Sequence, residues 1–142
     1  MPASLPDQAE LPASLLALIV AADGGLSAPA MRRLEARDAF RHLAVSRERF
    51  AELVADWCHR IDPDLCDRSW LSAGDIAQAE PLLDGVQLLD DRLQVCRLAD
   101  AAVEDQGLVA QGARLLLDHA RARWHLAREA LAQAPDDACL AA

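Results

Sequence analysis

Apolar residues run almost unbroken from Leu11 to Ala22, and Leu15, Leu16, Leu18, Ile19 and Val20 leave the stretch no polar side. A helix that is apolar all round must be buried on every face. Asp23-Gly24-Gly25 ends it, because glycine adopts the backbone geometry that closes a helix without steric cost. Ser27 is placed to cap a second helix, with Pro29 in its first turn and Met31, Leu34, Phe40 and Leu43 on its apolar side. Ser46 caps a third, where Phe50, Leu53, Val54, Trp57 and Ile61 recur at i, i+3, i+4, i+7 and i+11. Asp62-Pro63-Asp64 stops that stripe. Residues 65–71 read as a connector from which Trp70 turns back into the core.

Ser72-Ala73-Gly74-Asp75 has the form of a capping box and predicts a short helix, which Pro81 and Gly85 interrupt. A longer helix is expected from Asp90 to Asp105, with Leu93, Cys96, Ala99 and Val103 on one side. The last runs from Leu108 to beyond Leu131, burying Leu116, Ala120, Trp124, Ala127 and Leu131. No segment of useful length alternates with period two, and β-branched residues are scarce. The expectation is an all-α, single-domain bundle of about six to seven helices. It occupies residues 11–134, between a loose leader at 1–10 and a flexible tail at 135–142.

The 142 residues are 53% hydrophobic and 26% charged, which describes one soluble globular domain. Fourteen basic residues oppose 23 acidic ones, and the net charge of −9 argues against a nucleic-acid partner, whose phosphates need a cationic face. Every basic residue is Arg. The absence of Lys removes the Walker phosphate loop and Schiff-base chemistry, and the absence of Asn removes N-glycosylation. The apolar run at 11–22 is too short for a transmembrane segment, and Asp7 and Glu10 before it disqualify a secretory signal. With no regular cysteine framework, Cys58, Cys66, Cys96 and Cys139 are expected as reduced thiols in a cytoplasmic protein.

Two stretches echo each other. Ala22-Asp23-Gly24-Gly25-Leu26 and Glu104-Asp105-Gln106-Gly107-Leu108 each end one apolar helix at an Asp and open another. Arg32 and Arg114, and Leu34 and Leu116, follow at matching distances. "LLALIVAADGGLSAPAMRRLE" and "LADAAVEDQGLVAQGARLLLDHA" resemble the two signatures of the TerB-like family. These are tellurite-resistance helical domains, also found in a membrane-anchored DnaJ-type co-chaperone. The resemblance covers roughly residues 11–131. It implies an all-helical bundle with an internal pseudo-repeat, acids gathered near the two Asp turns, and a stress-response or scaffolding role without catalysis. Ala30 and Gly112 stand where family members carry a Glu.

The candidate chemistry follows from these positions. Asp23 and Asp105, with Glu104 and Asp100 nearby, are candidate ligands for a hard cation, and weak Ca²⁺ or Mg²⁺ binding is the expectation. The alternative is that Asp23 and Asp105 cap the helices that follow them. A metal-dependent enzyme or metal sensor built on these acids is the rival function. Cys58, His59, Cys66 and Cys96 match no zinc spacing, and Cys58 is expected to border the core. His119 and His125, six residues apart, do not share a helix face. Arg114, Arg121 and Arg128 recur every seven residues as a polar stripe, either solvated or a docking surface for an anionic partner, peripheral membrane included. The partner is expected to be another protein or a second copy. No Gly-x-Ser-x-Gly elbow or recognisable Cys–His pair is present.

Overall fold

The computed structural model describes residues 8–61, 64–65, 70–103 and 111–126. Gln8–Glu10, at the end of the expected leader, forms a 3₁₀ turn, and α1 follows from Leu11 to Ala22. Of its twelve residues all but Pro12 are buried, as its composition requires. Three helix ends that close through a positive-φ residue wind the chain back around it. At the first, Gly24 N–H meets the Ala21 carbonyl and Gly25 N–H meets Val20, with Gly24 at φ 106°. This is the crossed pair of a Schellman closure.

Ser27 caps α2 (Ala28–Ala36), its hydroxyl accepting from the Ala30 N–H at 3.1 Å. The single helix expected through Leu43 is two. Asp38 adopts the left-handed conformation at φ 55°, which Asp tolerates better than most residues, and α3 (Ala39–His42) restarts in a new direction. The break buries Ala39 and sets the Phe40 ring 5.6 Å from Phe50. A second Schellman closure follows: Ala44 N–H meets Arg41, Val45 N–H meets Phe40, and Ala44 sits at φ 55°. Ser46 then caps α4 (Arg47–Arg60), whose buried residues are Phe50, Leu53, Val54 and Trp57.

Trp70 is 57% exposed and does not return to the core. Ser72 and Asp75 form the complete capping box of α5, which runs from Ala73 straight through Pro81 to Gly85. Pro81 does not interrupt the helix because it and Ala77, whose carbonyl loses its donor, both face solvent, where water can serve that carbonyl. Gly85 closes α5 against α1: a methyl group there would collide with Leu11 Cδ1. α6 spans Leu89–Val103 and buries Val95, Cys96, Leu98, Ala99 and Ala102, with Leu93 partly covered.

α7 (Gln111–Arg123) ends earlier than expected. His125, at φ 58°, closes it with a third Schellman pair, His125 N–H to Ala122 and Leu126 N–H to Arg121, and Leu126 packs back on the core. Ala127, Leu131, the tail and residues 104–108, the second copy of the echo, lie outside the described residues. Around α1 are packed α4, α5, α6 and α7, with α2 laid on α6. Seven α-helices and no strand are present among the described residues, an all-α single-domain bundle.

Two substitutions test this packing. Trp57 is 3% exposed, and its indole N–H donates to Ser14 Oγ, a buried polar atom of α1, at 3.1 Å. Trp57→Ala is expected to lower the free energy of urea unfolding by about 3–5 kcal/mol, and a loss under about 1 kcal/mol would contradict the packing described. Ala44 is exposed in a conformation that costs a Cβ-bearing residue about 1–2 kcal/mol. Ala44→Gly is therefore expected to stabilise by about 1 kcal/mol, read as a rise in melting temperature.

Candidate functional site

At Arg121 the arginine stripe is not solvated. Arg121 is 4% exposed, and its Nη2 donates to Asp100 Oδ2 on α6 at 2.5 Å. Its Nη1 lies 3.5 Å from Asp118 Oδ1, one turn back on α7. The apolar side of α7 carries Ala113, Leu116, Leu117, Ala120 and Trp124, an arc wide enough to take position 121 into the interface with α6. Arg114 is partly buried two turns away, and Arg128 lies outside the described residues. Reversing the charge at Arg121 would set a carboxylate against Asp100, so the stripe cannot be exchanged as a purely solvated surface.

Of the proposed cation ligands, Asp23 and Asp100 lie among the described residues. Asp100 gives its carboxylate to Arg121. Asp23 sits at the C-terminal end of α1, where its backbone N–H meets Ile19 and Val20, and the cap of α2 is Ser27 rather than Asp23. Glu104 and Asp105 lie outside the described residues. Among the described residues no three His, Cys, Asp or Glu side chains gather as a metal group. Cys58 is exposed on α4 instead of bordering the core, whereas Cys96 is buried in α6. Burial pushes the Cys96 thiol up to about 11, against the opposing pull of Arg121, so it stays protonated and unreactive near neutrality.

A second charged knot ties α5 to α7. Arg123 Nε lies 3.1 Å from Glu80 Oε2, and its Nη2 donates to Asp84 Oδ1 at 2.6 Å. The Asp84 hydrogen bond holds the Arg123 guanidinium more firmly in its charged form. His119 Nε2 approaches Glu80 Oε1 at 3.9 Å. Glu80 and Asp84 are four residues apart, as are His119 and Arg123, so each pair shares a helix face. That signal is present in the sequence, but it is hidden as long as Pro81 is taken to end α5. Arg49 likewise grips Glu10 with two bonds of 3.0 and 3.1 Å, and holds its carboxyl below the usual range.

Between α5 and α6 the surface changes character. Leu88 is 67% exposed and Leu89 58%, side by side in the chain and separated from the buried Val86 by the exposed Gln87. Their backbone is held in place. Arg92 Nε donates to the Val86 carbonyl at 2.7 Å, while its guanidinium lies 5.5 Å from the centre of the buried Trp124 ring. The Trp124 indole N–H in turn donates to the Leu83 carbonyl at 3.1 Å. Two large apolar side chains are thus presented to solvent from a fixed corner.

Compared with protein-family models, with curated proteins and with solved structures, the chain matches none. No helix among the described residues is long and apolar enough to cross a membrane.

The Asp100–Arg121 pair has a testable energetic signature. Asp100→Asn leaves a buried guanidinium without its counter-charge and is expected to destabilise by about 2–4 kcal/mol. The double variant Asp100→Leu with Arg121→Met removes both charges and should be milder than the sum of the two single changes. Denaturant unfolding of all four proteins measures this, and strict additivity would show that the two groups do not interact.

Proposed function

We propose that this domain acts by binding another protein, with Leu88 and Leu89 as its anchor. The supporting observation is their exposure on a corner pinned by Arg92 and Trp124. Apolar groups held rigidly in water lose little further conformational freedom on docking, so their burial is converted into affinity efficiently. The partner presents a complementary apolar pocket. A cytoplasmic scaffolding role in bacterial stress response accords with the resemblance to TerB-like domains carried by the Asp23-Gly24-Gly25 segment and its neighbours.

The double variant Leu88→Gln with Leu89→Gln tests the proposal. It should keep the helical circular dichroism and melting temperature of the parent, since exposed substitutions shift stability by only about 0.5 kcal/mol. It should also lose proteins that the parent chain retains in affinity capture from the native host. A concentration-dependent dimer of the parent that is absent from the variant in analytical ultracentrifugation would assign the anchor to a second copy. An unchanged set of captured proteins together with an unchanged oligomeric state would refute the role of these leucines.

A further inference from the structure

Arginine side chains in this protein use one edge of the guanidinium repeatedly. The Nε and Nη2 groups point the same way, and in Arg49 they clasp the two carboxylate oxygens of Glu10. In Arg33 the same edge takes the carbonyls of Ala101 and Ala102 at the end of α6. Arg97, also on α6, carries this edge buried, and neither its Nε nor its Nη2 meets an acceptor among the described residues. Across the interface Arg121 has two further buried nitrogens, Nε and Nη1, without a hydrogen-bond acceptor there. Leaving charged donors unmatched away from water is costly, and it is rare in folded proteins.

The charges define what would fit. Arg97 and Arg121 bring two positive charges, Asp100 returns one, and Asp118 is 57% exposed and largely screened by solvent. One uncompensated positive charge remains beside a planar two-donor fork. A dianionic phosphate over-compensates that charge, and chloride supplies no paired acceptors. A carboxylate satisfies both the charge and the geometry. Arg97 as a residue is only partly buried and the Asp100 side chain is 34% exposed, so the fork lies just beneath the surface. Asp100 lies three residues on from Arg97 along α6, on the same helix face, and is the residue that pairs with Arg121, so the three charges share one neighbourhood.

We propose that the Nε/Nη2 edge of Arg97, backed by the Arg121–Asp100 pair, is a binding site for a small carboxylate anion. It is separate from the Leu88–Leu89 anchor and does not depend on it.

The test is a titration of the full chain with sodium acetate, against sodium chloride and sodium phosphate at matched ionic strength, followed by the Nε–H resonances of the arginines. The Arg97 Nε–H signal should shift saturably with acetate and not with chloride. Arg97→Lys keeps the charge and loses the fork, and should weaken acetate binding by about tenfold or more, as loss of a charge-assisted hydrogen bond does. Arg32→Lys, at an exposed position, should leave binding unchanged. No saturable shift up to about 0.1 M acetate, where screening is already strong, would overturn the proposal. So would equal binding by the Arg97→Lys variant. Acetate binding that emerges only after Glu104→Gln and Asp105→Asn would assign the fork to the chain's own acids, and would likewise remove the site. Should Arg97→Lys fail to fold, the parent's Arg97 resonance still decides.

Discussion

A twelve-residue helix with no outward face sets the terms for the whole molecule. Pro12 apart, every residue of α1 is buried, and such a helix has no stable place except at the centre of others. Four helices are needed to cover it: α4, α5, α6 and α7 each present an apolar stripe to a different side. The cover is not wholly apolar. Ser14 is the polar side chain buried in α1, and the Trp57 indole meets it across the interface with α4. A large aromatic and a hydrogen bond thus fix the rotation of α4 at one point, where apolar contact alone would tolerate several arrangements.

Surrounding a short central helix demands sharp changes of direction, and the chain makes three of them in the same way. Gly24, Ala44 and His125 each adopt positive φ and allow two backbone N–H groups to reach back to free carbonyls. Each closure also turns an apolar residue onto the core: Leu26 soon after the first, Val45 and Leu126 directly after the others. Only the first uses glycine. At Ala44 and His125 the backbone carries strain that burial of the next residue offsets, so these turns are held by packing rather than by local preference.

That distinction separates what could be read in the chain from what could not. Elements specified by local chemistry were legible: the all-apolar α1, the glycine stop, the Ser27 and Ser46 caps, the Ser72–Asp75 box and the Phe50–Trp57 stripe. Elements settled by tertiary packing were not. The Asp38 break follows from placing Phe40 against Phe50. Pro81 stays inside α5 because its turn faces water. α7 stops at His125 rather than continuing past Leu131 because Leu126 folds inward. The site suffered in the same way. Seven-residue spacing of Arg114 and Arg121 states that they share a helix side, but only the width of the apolar arc decides whether that side meets solvent or Asp100. Trp70, expected in the core, is 57% exposed, because a single large apolar residue in a connector carries no periodicity to give it a direction.

Having arginine as its sole cation gives this acidic chain a consistent method of joining helices. Lysine offers a point charge on a flexible stem, whereas a guanidinium offers a planar fork that engages two acceptors at once. Arg49 uses it to bind the turn before α1 to α4, and Arg33 to bind α2 to the last carbonyls of α6, where a positive charge also opposes the helix dipole. Arg92 spans the corner between α5 and α6 while lying against Trp124, and Arg60 covers the Trp57 ring at 4.0 Å. Arg121 and Arg123 fasten α7 to α6 and α5. A single Arg→Lys exchange at Arg33, Arg49 or Arg123 would keep the net charge of −9 and still lose a two-point contact. The bundle therefore depends on guanidinium geometry more than on overall charge, and the absence of lysine is a structural property of the chain as much as a compositional one.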